Sequence, residues 1–129
     1  MKHLPLIARV LLGLVFFGAG VAAFVTHFAT PPDLPLALQT FNQGLAASIY
    51  FMPFLKAVET LCGLLLLLNM WVPLALVVLA PIIINIALVH AFLAPEGLVL
   101  AGILVVLEAY LAFFVSPYRE KIGVLFSKR

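Results

Sequence analysis

Lys56 and Glu59 stand three residues apart within YFMPFLKAVETLCGLLLLLN, residues 50–69, a run otherwise apolar enough to lie in a membrane. On a helix that spacing puts the ammonium and the carboxylate on one face, where each can neutralise and orient the other. Four further polar side chains, His27, Asn85, His90 and Glu108, also sit in apolar surroundings. Asn85 offers both donor and acceptor, and the histidines exchange a proton near neutral pH. Side chains of these types among aliphatic neighbours suit two kinds of chemistry. They can hydrogen-bond the polar head of a small apolar molecule, or they can pass a proton. Ionisable residues within membrane spans face a cavity or the bundle interior, which favours such a use. The same residues admit a structural reading, in which Lys56 and Glu59 lower the cost of insertion and Asn85 ties two helices together.

Other chemistries find less support. Cys62 is the single cysteine, so the chain has neither an intrachain disulfide nor a CxxC redox pair. In an apolar span it reads as a small packing residue. His27, His90, Glu59 and Glu108 form no HExxH or other ligand-spaced pair, and no metal site is expected. The seven Lys and Arg residues, with a net charge of +2, are too few and too scattered to track phosphates. Nucleic acid is not an expected partner.

The elements that must position these groups follow from composition. Of the 129 residues, 66% are hydrophobic and 9% charged, whereas a soluble domain is about half apolar and about a quarter charged. Mean hydropathy is +1.28. The chain reads as one all-α domain over residues 1–129, an integral membrane antiparallel four-helix bundle. Its spans are expected at about residues 6–28, 48–68, 72–93 and 97–116. Each is long enough to cross about 30 Å of hydrocarbon as a helix. The first span has a basic start and a Val-Ala-Ala at 21–23, features of a signal peptide. Its apolar run is long for that purpose, and three further spans follow.

The connections are punctuated by proline. Pro31, Pro32 and Pro35 break the chain after the first span, and the later part of residues 30–44 suits a short interfacial helix. Pro53 falls near the start of the second span and Pro81 inside the third. Trp71 reads as an interface anchor. Pro117 stops the fourth span, and REKIGVLFSKR reads as a tail whose Arg119, Lys121, Lys128 and Arg129 meet anionic headgroups. Gly18 with Ala22, Ala19 with Ala23, and Ala87 with Ala91 are small-residue pairs of the kind that lets helices approach. Tyr50, Phe51, Phe54, Phe92 and Tyr110 suit either the wall of an apolar cavity or contact with lipid.

Counting along the spans sets the polar groups at a common height. Glu59 lies roughly eleven residues from the outer end of its span, about 16 Å at 1.5 Å per residue. Asn85 and Glu108 come out at similar depths, and His90 and His27 sit shallower. Lys56 neutralises Glu59, which leaves Glu108 needing a partner or a proton. His90 or His27 supplies the charge if either reaches it. Six of the seven basic residues lie outside the second span and toward one side: Lys2, Arg9, Arg119, Lys121, Lys128 and Arg129. The positive-inside rule then puts both termini in the cytoplasm.

The chain resembles the DoxX family of small four-span bacterial membrane proteins. The resemblance is carried by LLGLVFFGAG, by YFMPFLKAVETLCGLLLLLN, by VPLALVVLAPIIINIALVHAFLAPEG and by the ending EAYLAFFVSPYREKIGVLF. Lys-x-x-Glu in the second span and Pro-x-x-x-Asn-x-x-x-x-His in the third are its most specific parts. The resemblance implies a four-span bundle in the bacterial inner membrane and draws attention to Lys56, Glu59, Gly63, Pro73, Pro81, Asn85 and His90. One branch of the family resembles a subunit of a thiosulfate:quinone oxidoreductase, and another member associates with enzymes of oxidative-stress defence. The expectation is a subunit, non-catalytic alone, that binds a quinone or lipid or docks a redox enzyme. Lys56, Asn85 and His90 would be donors to a quinone head, Glu59 would orient Lys56, and Glu108 would carry a proton. A homodimeric transporter and an assembly protein with no ligand of its own are the competing readings.

Overall fold

Pro5 favours the start of the first helix, because proline has no N–H to leave unpaired in a first turn. The computed structural model describes residues 3–28 and 33–126. Lys2, Thr30, Pro31, Pro32, Lys128 and Arg129 lie outside the described residues. Helix α1 runs Leu4–Val25. It closes at Val25, short of the expected 28, because His27 takes a left-handed φ of 56°. That turn lets the Phe28 N–H bond the Ala23 carbonyl at 2.8 Å and the His27 N–H bond that of Phe24 at 3.3 Å.

Helix α2, Leu36–Ala46, follows Pro35 and buries Leu38. It occupies the stretch read as a short helix. Ile49, with φ 74°, then turns the chain into α3, Phe51–Leu68. The Ser48 hydroxyl accepts from the Phe51 N–H at 3.0 Å and fixes that start, so Pro53 falls in the first turn. Asn69, at φ 58°, ends α3 in the same manner as His27 ends α1. Met70 N–H bonds Leu65 O at 3.0 Å, and Asn69 N–H bonds Leu66 O at 3.3 Å.

Trp71, 70% exposed, leads directly into α4, Val72–Phe92. A 3₁₀ turn at Pro95–Gly97 opens α5, Leu98–Phe114. Val115 is extended, a cis Ser116–Pro117 bond follows, and the stretch expected as a tail forms α6, Tyr118–Val124. Ile122 on α6 packs into the core, and the Ser116 hydroxyl donates to Glu120 Oε2 at 2.8 Å.

The described residues are all-α, and four helices are long and apolar enough to span a membrane: α1, α3, α4, and Pro95–Phe114. In lipid each satisfies its own backbone polar groups. The chain is a membrane-spanning helical bundle. Its core gathers Leu12, Phe16, Leu66, Leu76, Leu79 and Leu111.

The closest helix approach, α1 against α3, rests on glycines other than the expected pairs. A Cβ on Gly63 would stand 2.4 Å from Phe17 N and 2.8 Å from Gly13 O. A Cβ on Gly20 would stand 1.8 Å from Thr60 Oγ1 and 3.1 Å from Lys56 O. Gly18 instead faces open space, and Ala19, Ala22 and Ala91 are exposed. Side-chain size at i and i+4 cannot reveal which face meets a neighbour.

Candidate functional site

Lys56 and Glu59 lie on α3, one turn apart, and pair at 3.3 Å between Nζ and Oε2. The Glu59 side chain is almost fully buried, while that of Lys56 keeps 22% of its surface open. Glu59 thus holds the ammonium in place, and the ammonium retains donors for a third group. Thr60 Oγ1 donates to Lys56 O at 2.6 Å, and Gly20 of α1 packs on both. The helix pair therefore fixes the backbone from which Lys56 projects.

A cavity of about 270 Å³ opens between α3 and α4 beside this pair. Phe51, Leu55, Ile82 and Ile86 supply its apolar wall, and Lys56, Glu59 and Asn85 its polar groups. Pro81 also borders it. Lys56 offers donors, Glu59 acceptors and Asn85 both, so the cleft sets hydrogen-bonding groups against an apolar wall.

Glu108 lines a different cavity. That one, about 390 Å³, lies among α4, α5 and α6 and includes Leu76, Ile84, Ala112 and Ile122 in its wall. At 3.6 residues per turn, Ala80 of this wall and Asn85 of the other stand about 140° apart around α4. The two cavities thus use opposite faces of one helix. Glu108 is 9% exposed, and its buried Oε1 has no hydrogen-bond partner among the described residues. Cys62 is buried in the core.

The histidines stand apart. Nδ1 of His90 donates to Ile86 O at 2.9 Å, because a carbonyl can only accept. The His90 ring lies over Gly97, where a Cβ would come within 1.9 Å of Cδ2. His90 borders neither cavity. His27 is exposed at the end of α1. Of the six residues singled out by depth, the structure brings Lys56, Glu59 and Asn85 to one cleft, puts Glu108 in a second cavity, and leaves His27 and His90 outside both. Tyr50, Phe54 and Phe92 are well exposed, and Phe51 reaches the cleft wall.

One buried polar residue escaped the sequence reading. Arg9 is 8% exposed and donates from Nη1 to the Leu66 carbonyl and, at 3.4 Å, to that of Leu67. It reads as a flanking charge in the sequence, but α1 begins five residues before it. The proline at position 5 was the available signal.

A family model described as DoxX matches residues 4–91. The match covers α1 through nearly all of α4 and includes Lys56, Glu59, Asn85 and His90. The ending EAYLAFFVSPYREKIGVLF lies outside it. No curated protein and no solved structure matches the chain.

Proposed function

We propose that this chain, which belongs to the DoxX family, is a non-catalytic subunit of the bacterial inner membrane that holds a quinone head in the Lys56–Glu59–Asn85 cleft. The observation that carries this reading is the ion pair on the cleft wall. Glu59 holds Lys56 at 3.3 Å while the ammonium stays partly open to a cavity that Asn85 also borders. A quinone carbonyl accepts from Lys56 and from the Asn85 amide, and its apolar body lies along Leu55, Ile82 and Ile86. Glu59 acts by positioning Lys56. A redox enzyme docked on the bundle would exchange electrons with the quinone held there.

The topology in this reading is an antiparallel bundle with both termini in the cytoplasm. Support comes from the α1–α3 contacts, in which Gly13 meets Gly63 while the later Gly20 meets the earlier Thr60. The turns at Asn69–Trp71 and Ala94–Gly97 are also too short for anything but reversal. Arg119 and Lys121 follow the fourth span, and the connections at 29–50 and 94–97 carry no Lys or Arg. With this orientation the Lys56 cleft lies toward the periplasmic leaflet.

Equilibrium binding of a short-tailed ubiquinone to the protein in lipid nanodiscs tests the assignment. Lys56→Met and Asn85→Leu each weaken binding by about tenfold, the loss of about 1.4 kcal/mol. His27→Ala leaves it unchanged. Wild-type affinity in folded Lys56→Met and Asn85→Leu would remove the quinone from this cleft.

A further inference from the structure

The cavity on the other face of α4 has chemistry different from that of the Lys56 cleft. Its volume, about 390 Å³, lies in the range of small-molecule sites. Among the described residues that line it, Glu108 is the one polar side chain, and no lysine, arginine or histidine borders it. The Glu108 Oε1 is buried and has no hydrogen-bond partner among the described residues. Lys56 is committed to Glu59 on the other face.

Glu108 is thus the one group on this wall able to pair with a polar guest. A carboxyl in apolar surroundings takes up a proton or pairs with a donor or an opposite charge, and the wall provides no partner. A guest can bring one. Its body must also be compact. The α5 wall from Val105 to Phe113 is about 12 Å long at 1.5 Å per residue, and Ile122 and Phe126 add α6 and its exit to the lining. We propose that this cavity binds a lipophilic amine, a compact hydrocarbon body whose single protonated nitrogen pairs with Glu108. An anionic guest meets like charge there. The assignment uses none of the residues of the quinone cleft and stands or falls separately from it.

Three probes that share one cage distinguish the chemistry: 1-adamantylamine, 1-adamantanol and 1-adamantanecarboxylate. Wild-type protein in nanodiscs is treated with a membrane-soluble carbodiimide, which modifies carboxyl groups reached from lipid, and adducts are mapped by peptide mass spectrometry. Glu108 is labelled, and the amine lowers that labelling at least fivefold. The alcohol protects less, the carboxylate does not protect, and labelling at Glu59 is insensitive to all three. Direct binding of the radiolabelled amine to wild type and to Glu108→Gln gives a second readout, with at least a tenfold loss in the variant. Ala109→Phe, which fills the cavity and keeps the carboxyl, also lowers binding. No labelling of Glu108 in the unliganded protein, equal protection by amine and carboxylate, or amine binding that survives Glu108→Gln overturns the assignment.

Discussion

Arg9 of α1 donates from Nη1 to the carbonyl of Leu66 in the last turn of α3, and the same nitrogen lies 3.4 Å from the carbonyl of Leu67. The final carbonyls of a helix lack intrahelical donors, and partial negative charge collects there. Asn69 and Met70 N–H groups supply part of the need from within the turn. Arg9 adds donors to Leu66 and Leu67 from a different helix, and burial strengthens the interaction. Hydrogen bonds to a charged group contribute about 1.5–3 kcal/mol. Arg9→Met is expected to lower stability by about that amount in thermal unfolding followed by circular dichroism in detergent. Arg9→Lys restores only part, because an ammonium lacks the planar fork. An unchanged midpoint for Arg9→Met would leave the Arg9–Leu66 contact without energetic weight.

Gly63 is the tightest backbone approach between α1 and α3, with 2.4 Å from an added Cβ to Phe17 N. Backbone cannot yield as a side chain tip can. Gly63→Ala is expected to destabilise by about 1–3 kcal/mol, the usual cost of overpacking. Gly18→Ala has open space and should stabilise slightly, by up to about 1 kcal/mol, through higher helix propensity. Unfolding midpoints of the two variants in one detergent decide the matter. Equal shifts would show that the helices do not meet at Gly63.

Breaking the Lys56–Glu59 pair from one side should cost more than removing it whole. Lys56→Met leaves the buried Glu59 carboxyl without its partner, a loss of about 3–5 kcal/mol where the group stays dry. The open side of Lys56, 22% of its side chain, reduces that figure. The double variant Lys56→Met, Glu59→Leu is expected to be more stable than Lys56→Met alone. A double-mutant cycle on unfolding free energies reads the coupling directly. Additive effects would mean that the pair is not formed in lipid.

Glu120, outside the spans, gives a pH dependence of known sign. The Ser116 hydroxyl, its own backbone N–H and Arg119 hold its carboxyl below the usual carboxylate range. A depressed value means that the ionised form belongs to the folded arrangement. Its contribution is present above the usual carboxylate range and is lost as pH falls through the depressed value. Amide hydrogen exchange across Tyr118–Val124 should quicken on that acid limb, and Ser116→Ala should move the change to higher pH. A Ser116→Ala profile identical to wild type would dissociate Ser116 from the order of α6.

The spans were legible because lipid imposes one strong constraint: long apolar runs must become helices that satisfy their own backbone. Heights along those helices were legible too, since rise per residue is fixed. Azimuth was not. Residue counting put Asn85 and Glu108 in one layer, yet they border cavities on opposite faces of α4. The rotation of each helix about its axis is set by contacts such as Gly63 against Phe17, which no single-chain periodicity reports. Helix α6 was missed for a related reason: its seven residues have little intrinsic stability, and docking of Ile122 supplies what propensity does not. Arg9 reads as a flanking charge because the carbonyls that receive it belong to the end of α3, a contact that sequence spacing does not report. His27 took the left-handed turn and Asn69 its counterpart, positions at which a polar side chain is tolerated.

Photolabelling tests the quinone assignment most directly. An azido-ubiquinone irradiated with the wild-type protein in nanodiscs should leave adducts within residues 51–59 of α3 and 81–86 of α4. An excess of unmodified ubiquinone should suppress them, and Lys56→Met should lower their yield about tenfold. Adducts confined to other surfaces, or adducts on those two segments that excess ubiquinone leaves in place, would contradict a quinone held between Lys56 and Asn85.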